Sequence, residues 1–241
     1  SIKTGDLYCW GQNSNGQLGT GNYDNVIQPV NIASTIDWSF IEAGHDHTCG
    51  INDAGDLYCW GMNAEGQLGD GTINMKNTVQ HIGTDKWISV SAGYNHTCGI
   101  KIDGALFCWG GNSEGQLGDN GSNQNSNVPV GVDTMMVASW KKVSVGNMHT
   151  CGISSDGKLY CWGKNNHGQL GNGTKEHQNY PGELMGYEWA DVSAGDGFTC
   201  AVKITGAMYC WGLNEYGQIG IGTVTGSYSD MQVISVKEDG N

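Results

Sequence analysis

Leu57-Tyr58-Cys59-Trp60-Gly61 decides the fold, because the chain repeats this stretch about every fifty residues. The Trp-Gly pairs of the five copies lie 50, 49, 53 and 49 positions apart. The other copies are Leu7–Gly11, Leu106–Gly110, Leu159–Gly163 and Met208–Gly212. A period of this length is typical of a repeat array, in which no unit buries a core alone. We therefore predict a single domain over residues 1–241, made of five repeats that start and end inside a unit.

A second block stands upstream of four of these stretches and predicts a β-hairpin with them. In the second copy it ends in Cys49-Gly50-Ile51. A three-residue loop over residues 53–55 places Gly55 in the left-handed region, where glycine is favoured. Cys49 then lies opposite Cys59, and Ile51 lies opposite Leu57 on the same face of the two strands.

Each unit is expected to hold four short strands. Besides the two hairpin strands, one contains the Trp38 segment, and a weaker one follows the long polar loop, as in Gln28–Ile32. Antiparallel sheets of four strands that repeat at this length are propeller blades. The sequence thus predicts an all-β protein, a β-propeller of about five four-stranded antiparallel blades, either by itself or as part of a larger ring. A β-solenoid is the main competing architecture.

All nine cysteines occupy two positions of the repeat. The hairpin register places four pairs opposite each other, which favours disulfides over buried free thiols packed as small apolar groups. Zinc sites need four ligands at other spacings. The predicted disulfides imply an oxidising compartment, hence a secreted or cell-surface protein. The pairs are Cys49–Cys59, Cys98–Cys108, Cys151–Cys161 and Cys200–Cys210.

Cys9 has no counterpart, because its partner would precede Ser1. We expect it to be unpaired or bonded to a partner outside residues 1–241. The Leu7–Trp10 strand would then lack its hairpin partner and leave the ring open there. The alternative is that Val233–Asn241 pairs beside Leu7–Trp10 and closes a five-bladed ring.

The charge of the chain argues against two classes of partner. The formal net charge is −13, and no cluster of lysines is present to neutralise phosphates, so we expect no nucleic-acid partner. No run of 18 apolar residues occurs, so membrane insertion is not expected either.

The histidines follow the repeat rather than a catalytic arrangement. His47, His96 and His149 share one position at which the fourth copy has Phe198, so they are interpreted as packing residues. The His45-Asp46-His47 triplet is not repeated and is a weak metal candidate. We therefore predict no catalytic residue, no cofactor and no metal site, and a protein that is not an enzyme.

The candidates for binding are the loops that follow each Gly-Gln-Leu-Gly or Gly-Gln-Ile-Gly turn. They vary while their surroundings repeat, as binding loops on a rigid scaffold do, although they could equally be solvated connectors. Three Asn-x-Ser/Thr triplets match glycosylation acceptors, at Asn95, Asn120 and Asn172. The loops span residues 20–28, 70–79, 119–128, 172–180 and 221–231.

These blocks resemble the repeats of the regulator of chromosome condensation family. The resemblance covers essentially the whole chain and implies a β-propeller, usually of seven blades. The founding member is a nucleotide exchange factor on chromatin, and other members are inhibitors, ectodomains or scaffolds. The paired cysteines are similar to those of the secreted and cell-surface branch, and the acidic charge departs from the expectation for a chromatin binder.

Together these features predict a non-enzymatic extracellular propeller that binds a protein or assembles with copies of itself as a structural module. A multivalent carbohydrate-binding lectin is the alternative. An exchange factor for a small GTPase is the least favoured reading, because fold alone does not carry activity.

Overall fold

The structure is a computed structural model that describes residues 5–133, 137–224 and 226–234. Within these ranges the chain forms strands joined by turns and bends, without a helix, and so without a helix that could cross a membrane. The strands are β1 Leu7–Gly11, β2 Val26–Ile32, β3 Trp38–Ala43, β4 His47–Asn52, β5 Asp56–Gly61, β6 Lys76–Ala92, β7 His96–Lys101, β8 Leu106–Gly110, β9 Ser126–Gly131, β10 Trp140–Val145, β11 His149–Ser154, β12 Leu159–Gly163, β13 Gln178–Glu183, β14 Trp189–Ala194, β15 Phe198–Lys203, β16 Met208–Leu213 and β17 Ser227–Val233.

The strands pair in chain order into antiparallel blades. Blade 1 is β1–β2, blade 4 is β10–β13 and blade 5 is β14–β17. Blades 2 and 3 share β6, whose residues 76–86 pair with β5 and whose residues 87–92 pair with β7. The four-stranded blades confirm the predicted all-β propeller. The continuous β6, which makes one seven-stranded sheet of β3 to β9, was not anticipated.

The hairpin register within each blade is the one that the sequence predicts. Cys49 pairs with Cys59 and Ile51 with Leu57, and the same register recurs in blades 3, 4 and 5. Gly55 has a φ of +80°, as a loop ending in the left-handed region requires. The paired cysteine Cα atoms lie 4.0–4.1 Å apart, somewhat closer than the roughly 4.5 Å of an average non-hydrogen-bonded pair.

The core lies between the blades and is built from the repeated apolar residues. Trp109 is fully buried and its indole packs against the turn of the preceding blade at Gly69. A Cβ atom on Gly69 would lie 2.8 Å from Trp109 Nε1, so only glycine allows this approach. The same packing joins Trp60 to Gly19, Trp162 to Gly118 and Trp211 to Gly171.

Blade 1 differs from the others among the described residues. β1 pairs with β2, and Cys9 forms no disulfide. The strand Ser227–Val233 pairs with β16 rather than with β1. The rest of the alternative closing segment, residues 235–241, lies outside the described residues. The open strand at Leu7–Trp10 and the extent of the domain over 1–241 therefore stay predictions.

Candidate functional site

The three histidines that share one position of the repeat each form a hydrogen bond with a threonine of the next blade. We call this contact a latch. His47 of blade 2 lies with Nε2 2.8 Å from the Thr97 hydroxyl of blade 3. That hydroxyl donates its own hydrogen to the Gln67 carbonyl at 2.8 Å, and Trp109 Nε1 donates to the same carbonyl at 3.0 Å. His47 Nε2 must therefore be the donor to Thr97, which leaves Nδ1 unprotonated. Equivalent latches join His96 to Thr150 and His149 to Thr199.

The latch histidines are neutral because they are enclosed. Burial lowers the pKa of His47 to about 4, and Nδ1 has no hydrogen-bond partner within the described chain. Burial likewise lowers the pKa of His96 to about 3 and that of His149 to about 4. Phe198 occupies the same place in blade 5, against Gly195. This geometry agrees with a packing role for these side chains.

The cysteines are joined in the four pairs proposed from the sequence, with S–S distances of 2.05–2.12 Å. In blades 2 to 4 they are almost completely buried inside the sheets. Cys9 is half-buried, and burial raises the pKa of its thiol. The disulfides lie in the framework of the blades, and of their cysteines only Cys200, in blade 5, is partly exposed.

The side chains of the metal candidate His45-Asp46-His47 do not converge on one point, because His45 and His47 make different contacts. The His45 ring stacks on Tyr94 with centroids 4.5 Å apart, and its Nδ1 lies 2.8 Å from Asp46. His47 turns into the latch instead. No three side chains of His, Cys, Asp or Glu come together as a metal site in the part of the chain that the structure describes.

The three glycosylation candidates lie in different surroundings. Asn95 is half-buried, against Gly111, and the Thr97 of its triplet is fully buried. Asn120 is exposed, has a φ of +53° and donates from Nδ2 to Asp133. Asn172 is exposed, and its Oδ1 accepts from the Thr174 hydroxyl at 2.8 Å. Asn120 and Asn172 are thus the accessible ones.

The variable loops are held by a buried asparagine that sequence reasoning missed. Asn63 is fully buried, and its Oδ1 accepts from the Leu68 backbone at 3.0 Å. Its Nδ2 donates to Asp70 Oδ1 and to the carbonyls of Thr72 and Asn74, each at 3.1 Å. The signal was present, because an asparagine follows each Trp-Gly pair after one residue. The others are Asn13, Asn112, Asn165 and Asn214.

Four glycines bring the blades together around the propeller axis. A Cβ atom on Gly93 would lie 2.3 Å from the Gly146 carbonyl of the next blade. The His45 amide donates to the Gly93 carbonyl at 3.0 Å, so neighbouring blades are also hydrogen-bonded there. Gly44 and Gly195 hold the same position in blades 2 and 5. These small residues leave room for an opening on the axis, at the same end as the variable loops.

We call this opening the axial mouth. It is a cavity of about 330 Å³ with a floor of alanine, valine and glycine. Blades 2 to 5 each contribute one different side chain to its rim, His45, Tyr94, Asn147 and Asp196 respectively. Asn147 Nδ2 donates to Asp196 at 2.8 Å, and Tyr94 remains 46% exposed. Sequence reasoning missed this site, although its signal is the variable residue after Ala-Gly or Val-Gly in an otherwise constant block.

Comparison with known proteins identifies the same repeat. The family model of the regulator of chromosome condensation (RCC1) repeat matches residues 4–51, 54–100, 103–153 and 156–202. The ultraviolet-B receptor UVR8 of Arabidopsis thaliana is 34% identical over 182 residues, which are 73% of this chain and 41% of that protein.

Solved structures share the fold at lower identity. Prp20p of Saccharomyces cerevisiae, studied for its binding to Gsp1p and histones, has a TM-score of 0.86 at 20% identity and covers 99% of this chain. Human WBSCR16 has a TM-score of 0.85 at 21% identity and covers 95%. This chain spans 61% and 62% of those two chains. The repeats, the blades and the family model agree, and the chain belongs to the regulator of chromosome condensation (RCC1) repeat family.

Proposed function

We propose that this chain is a non-enzymatic, extracellular module that binds a protein partner at the axial mouth and its surrounding loops. One observation carries the proposal. Around the mouth, four repeat-equivalent positions hold four different side chains, His45, Tyr94, Asn147 and Asp196, on a rigid floor that hardly changes from blade to blade. Variation confined to one end of a fixed scaffold is what a surface fitted to one irregular partner requires.

The extracellular part of the proposal rests on the cysteines. Four cross-strand disulfides, one in each of blades 2 to 5, persist where thiols are oxidised and would be reduced in a cytosol. The non-enzymatic part rests on the histidines. The three buried histidines, His47, His96 and His149, are enclosed and hydrogen-bonded to the next blade, so none of them is available as a general base.

The relatives support binding as a general role. Prp20p binds Gsp1p and histones, and UVR8 is a receptor, but these partners belong to those proteins. Exchange on a small GTPase is less favoured here, because the chain is acidic and extracellular in this proposal. Self-assembly and a structural role stay secondary for lack of a described surface that fits a second copy.

Carbohydrate binding is the second candidate, favoured by the exposed ring of Tyr94 beside the Asn147–Asp196 pair. An aromatic face with amide and carboxylate groups suits a sugar as well as a peptide. However, a multivalent lectin would repeat one set of rim residues in every blade, whereas the four rim residues here differ.

The test is to screen the purified chain against an array of secreted and cell-surface ectodomains and, in parallel, against a glycan array. A double variant, Tyr94→Ala with Asp196→Ala, should weaken binding to protein hits at least tenfold. The control is Asp53→Ala with Ile102→Ala on exposed hairpin loops at the opposite end, which should bind like wild type. Hits on glycans alone would favour the lectin. Protein hits that are insensitive to the mouth variant would contradict the proposed site.

A further inference from the structure

Below the axial mouth, the inner strands of blades 2 to 5, together with β15 and the start of β16 in blade 5, line a channel with a cavity of about 520 Å³. Directly beneath the mouth, three blades place a serine at one level. Ser91 Oγ accepts from the Val145 amide of the next blade at 3.1 Å. Ser144 Oγ accepts from the Ala194 amide at 2.9 Å. These serines therefore form hydrogen bonds between the inner strands of neighbouring blades.

Glu42 stands at the same level in blade 2, where the repeat would place a serine. Its carboxylate is half-buried and accepts no hydrogen bond from the described residues. Burial raises the pKa of Glu42, and the charge of Lys142 only partly offsets this. A half-buried carboxylate that replaces the serine of the other blades and has no donor among the described residues departs from an otherwise consistent repeat, and such departures are typical of binding sites.

The next ring of side chains along the channel contains a salt bridge, and its one lysine takes part in that bridge. Lys142 pairs with Asp191, and Phe40 and Ser89 complete the level. The channel thus carries two carboxylates against one ammonium. The mouth adds Asp196 on its rim and Asp46 behind His45. Lys142 is the only lysine that lines either described cavity, and it is paired with Asp191 while its charge also acts on Glu42.

We propose that the axial mouth and channel take the side chain of a lysine or arginine from the protein partner, with its charge directed at Glu42. This inference rests on the proposed function and names the chemistry of the partner. The exposed ring of Tyr94, which lies against His45, offers an aromatic face that attracts a cation at the entrance. Below them, the small apolar residues of the mouth floor suit the methylene stem of a long basic side chain.

Two other ligand classes fit these observations less well. An anion would meet three lining carboxylates, Glu42, Asp191 and Asp196, and one paired ammonium, and would be repelled. A neutral sugar could contact the rim but would bring no positive charge to Glu42. A long cationic side chain can contact the aromatic rim along its length. Its charged end can then form a charge-assisted hydrogen bond with the Glu42 carboxylate.

The experiment uses an array of nonapeptides that are randomised around a fixed central residue. The central residue is lysine, arginine, acetyl-lysine or glutamine, and the chain is applied at low and at physiological salt. We expect lysine or arginine peptides to bind at least tenfold more tightly than their acetyl-lysine or glutamine counterparts. Glu42→Gln and Asp196→Asn should each reduce that preference at least fivefold.

Asp53→Asn is the matched control, because it removes one carboxylate from an exposed hairpin loop outside both cavities. It should leave the preference unchanged, and the melting temperature of each variant shows that it is folded. Peptides that bind regardless of the central residue, or a preference untouched by Glu42→Gln, would overturn the cationic site while protein binding stands. If no peptide with a central cation binds and glycans do, both this site and the proposed function fall.

Discussion

At the scale of single residues, the latch histidine shows how one side chain serves two blades. His96 donates to Thr150, and the Gln116 carbonyl accepts hydrogen bonds from the Thr150 hydroxyl and from the Trp162 indole. The imidazole has one satisfied nitrogen and one buried, unpartnered nitrogen. The hydrogen bond is therefore expected to contribute modestly, and Phe198 fills the same place in blade 5 without it.

Replacing His96 tests this reading. His96→Phe loses one hydrogen bond but keeps most of the packing, so the free energy of unfolding should fall by about 1 kcal/mol. His96→Ala also leaves a cavity and should lose about 3 kcal/mol. Urea unfolding followed by circular dichroism measures both. A His96→Phe protein with unchanged stability but no binding to an identified partner would show that the histidine has a binding role.

Acid should weaken the latches in a defined pH range. The pKa of His47, His96 and His149 is depressed in the folded protein to about 3–4, whereas the unfolded chain titrates near 6.5. The unfolded state therefore binds more protons below pH 6.5. The stabilisation is complete above that pH and declines as the pH falls toward 4, by up to about 1.4 kcal/mol per histidine for each pH unit.

The measurement is the urea midpoint of the wild type and of a triple variant with phenylalanine at positions 47, 96 and 149. Between pH 6.5 and 4.5 the wild type should lose stability steeply and the triple variant much less. Equal slopes for the two proteins would show that other groups control the acid response.

At the scale of elements, the hairpin was predictable and its outer neighbours were not. Gly55 and the ten-residue spacing of Cys49 and Cys59 fix a register that a slip by one residue would invert. The fourth strand offers no such marker, and its pairing contains a bulge near Gly61, which has a φ of +108°. The continuity of β6 depends on Gly83, at a φ of +60°, turning the strand from one blade to the next, which a repeat pattern does not reveal.

The disulfides predict a simple thiol count. Denatured without reductant, the chain should show one reactive thiol, from Cys9, and nine after reduction. Peptide mapping should recover the four pairs within the blades. Nine thiols without reductant, or links between blades, would contradict both the pairing and the proposed compartment.

Removing one hairpin bridge should cost a limited amount of stability. Cys98→Ala with Cys108→Ala opens a loop of about ten residues, so the free energy of unfolding should fall by about 2–3 kcal/mol. Differential scanning calorimetry compares the variant with the wild type. An unchanged melting temperature would show that packing alone holds the strands.

At the scale of the whole molecule, the site arises only when blades meet. His45, Tyr94, Asn147 and Asp196 are about fifty residues apart in sequence. They converge because Gly44, Gly93 and Gly146 each let the backbone of the next blade approach closely at the axis. The sequence shows that these positions vary, but not that they face one opening. The setting of Glu42 could not be predicted from the sequence for the same reason, because the residues around it come from other blades.

The glycines at the axis should be intolerant of even one methyl group. Gly93→Ala places a Cβ atom 2.3 Å from the Gly146 carbonyl, so blades 3 and 4 must separate and stability should fall by more than 2 kcal/mol. Gly131→Ala is the matched control, because its nearest neighbour would be 3.9 Å away and its φ is not positive. Thermal unfolding should separate the two variants clearly, and equal melting temperatures would refute the close approach.

The packing of the tryptophans gives the protein an optical reporter of its own. Eight of the nine indoles are buried, whereas Trp10 on blade 1 is 59% exposed. Iodide in solution should therefore quench a small, red-shifted fraction of the fluorescence and leave the rest, and Trp10→Phe should abolish that fraction. Any molecule that covers blade 1 would shift the same emission to the blue, so its docking could be followed by light without a label.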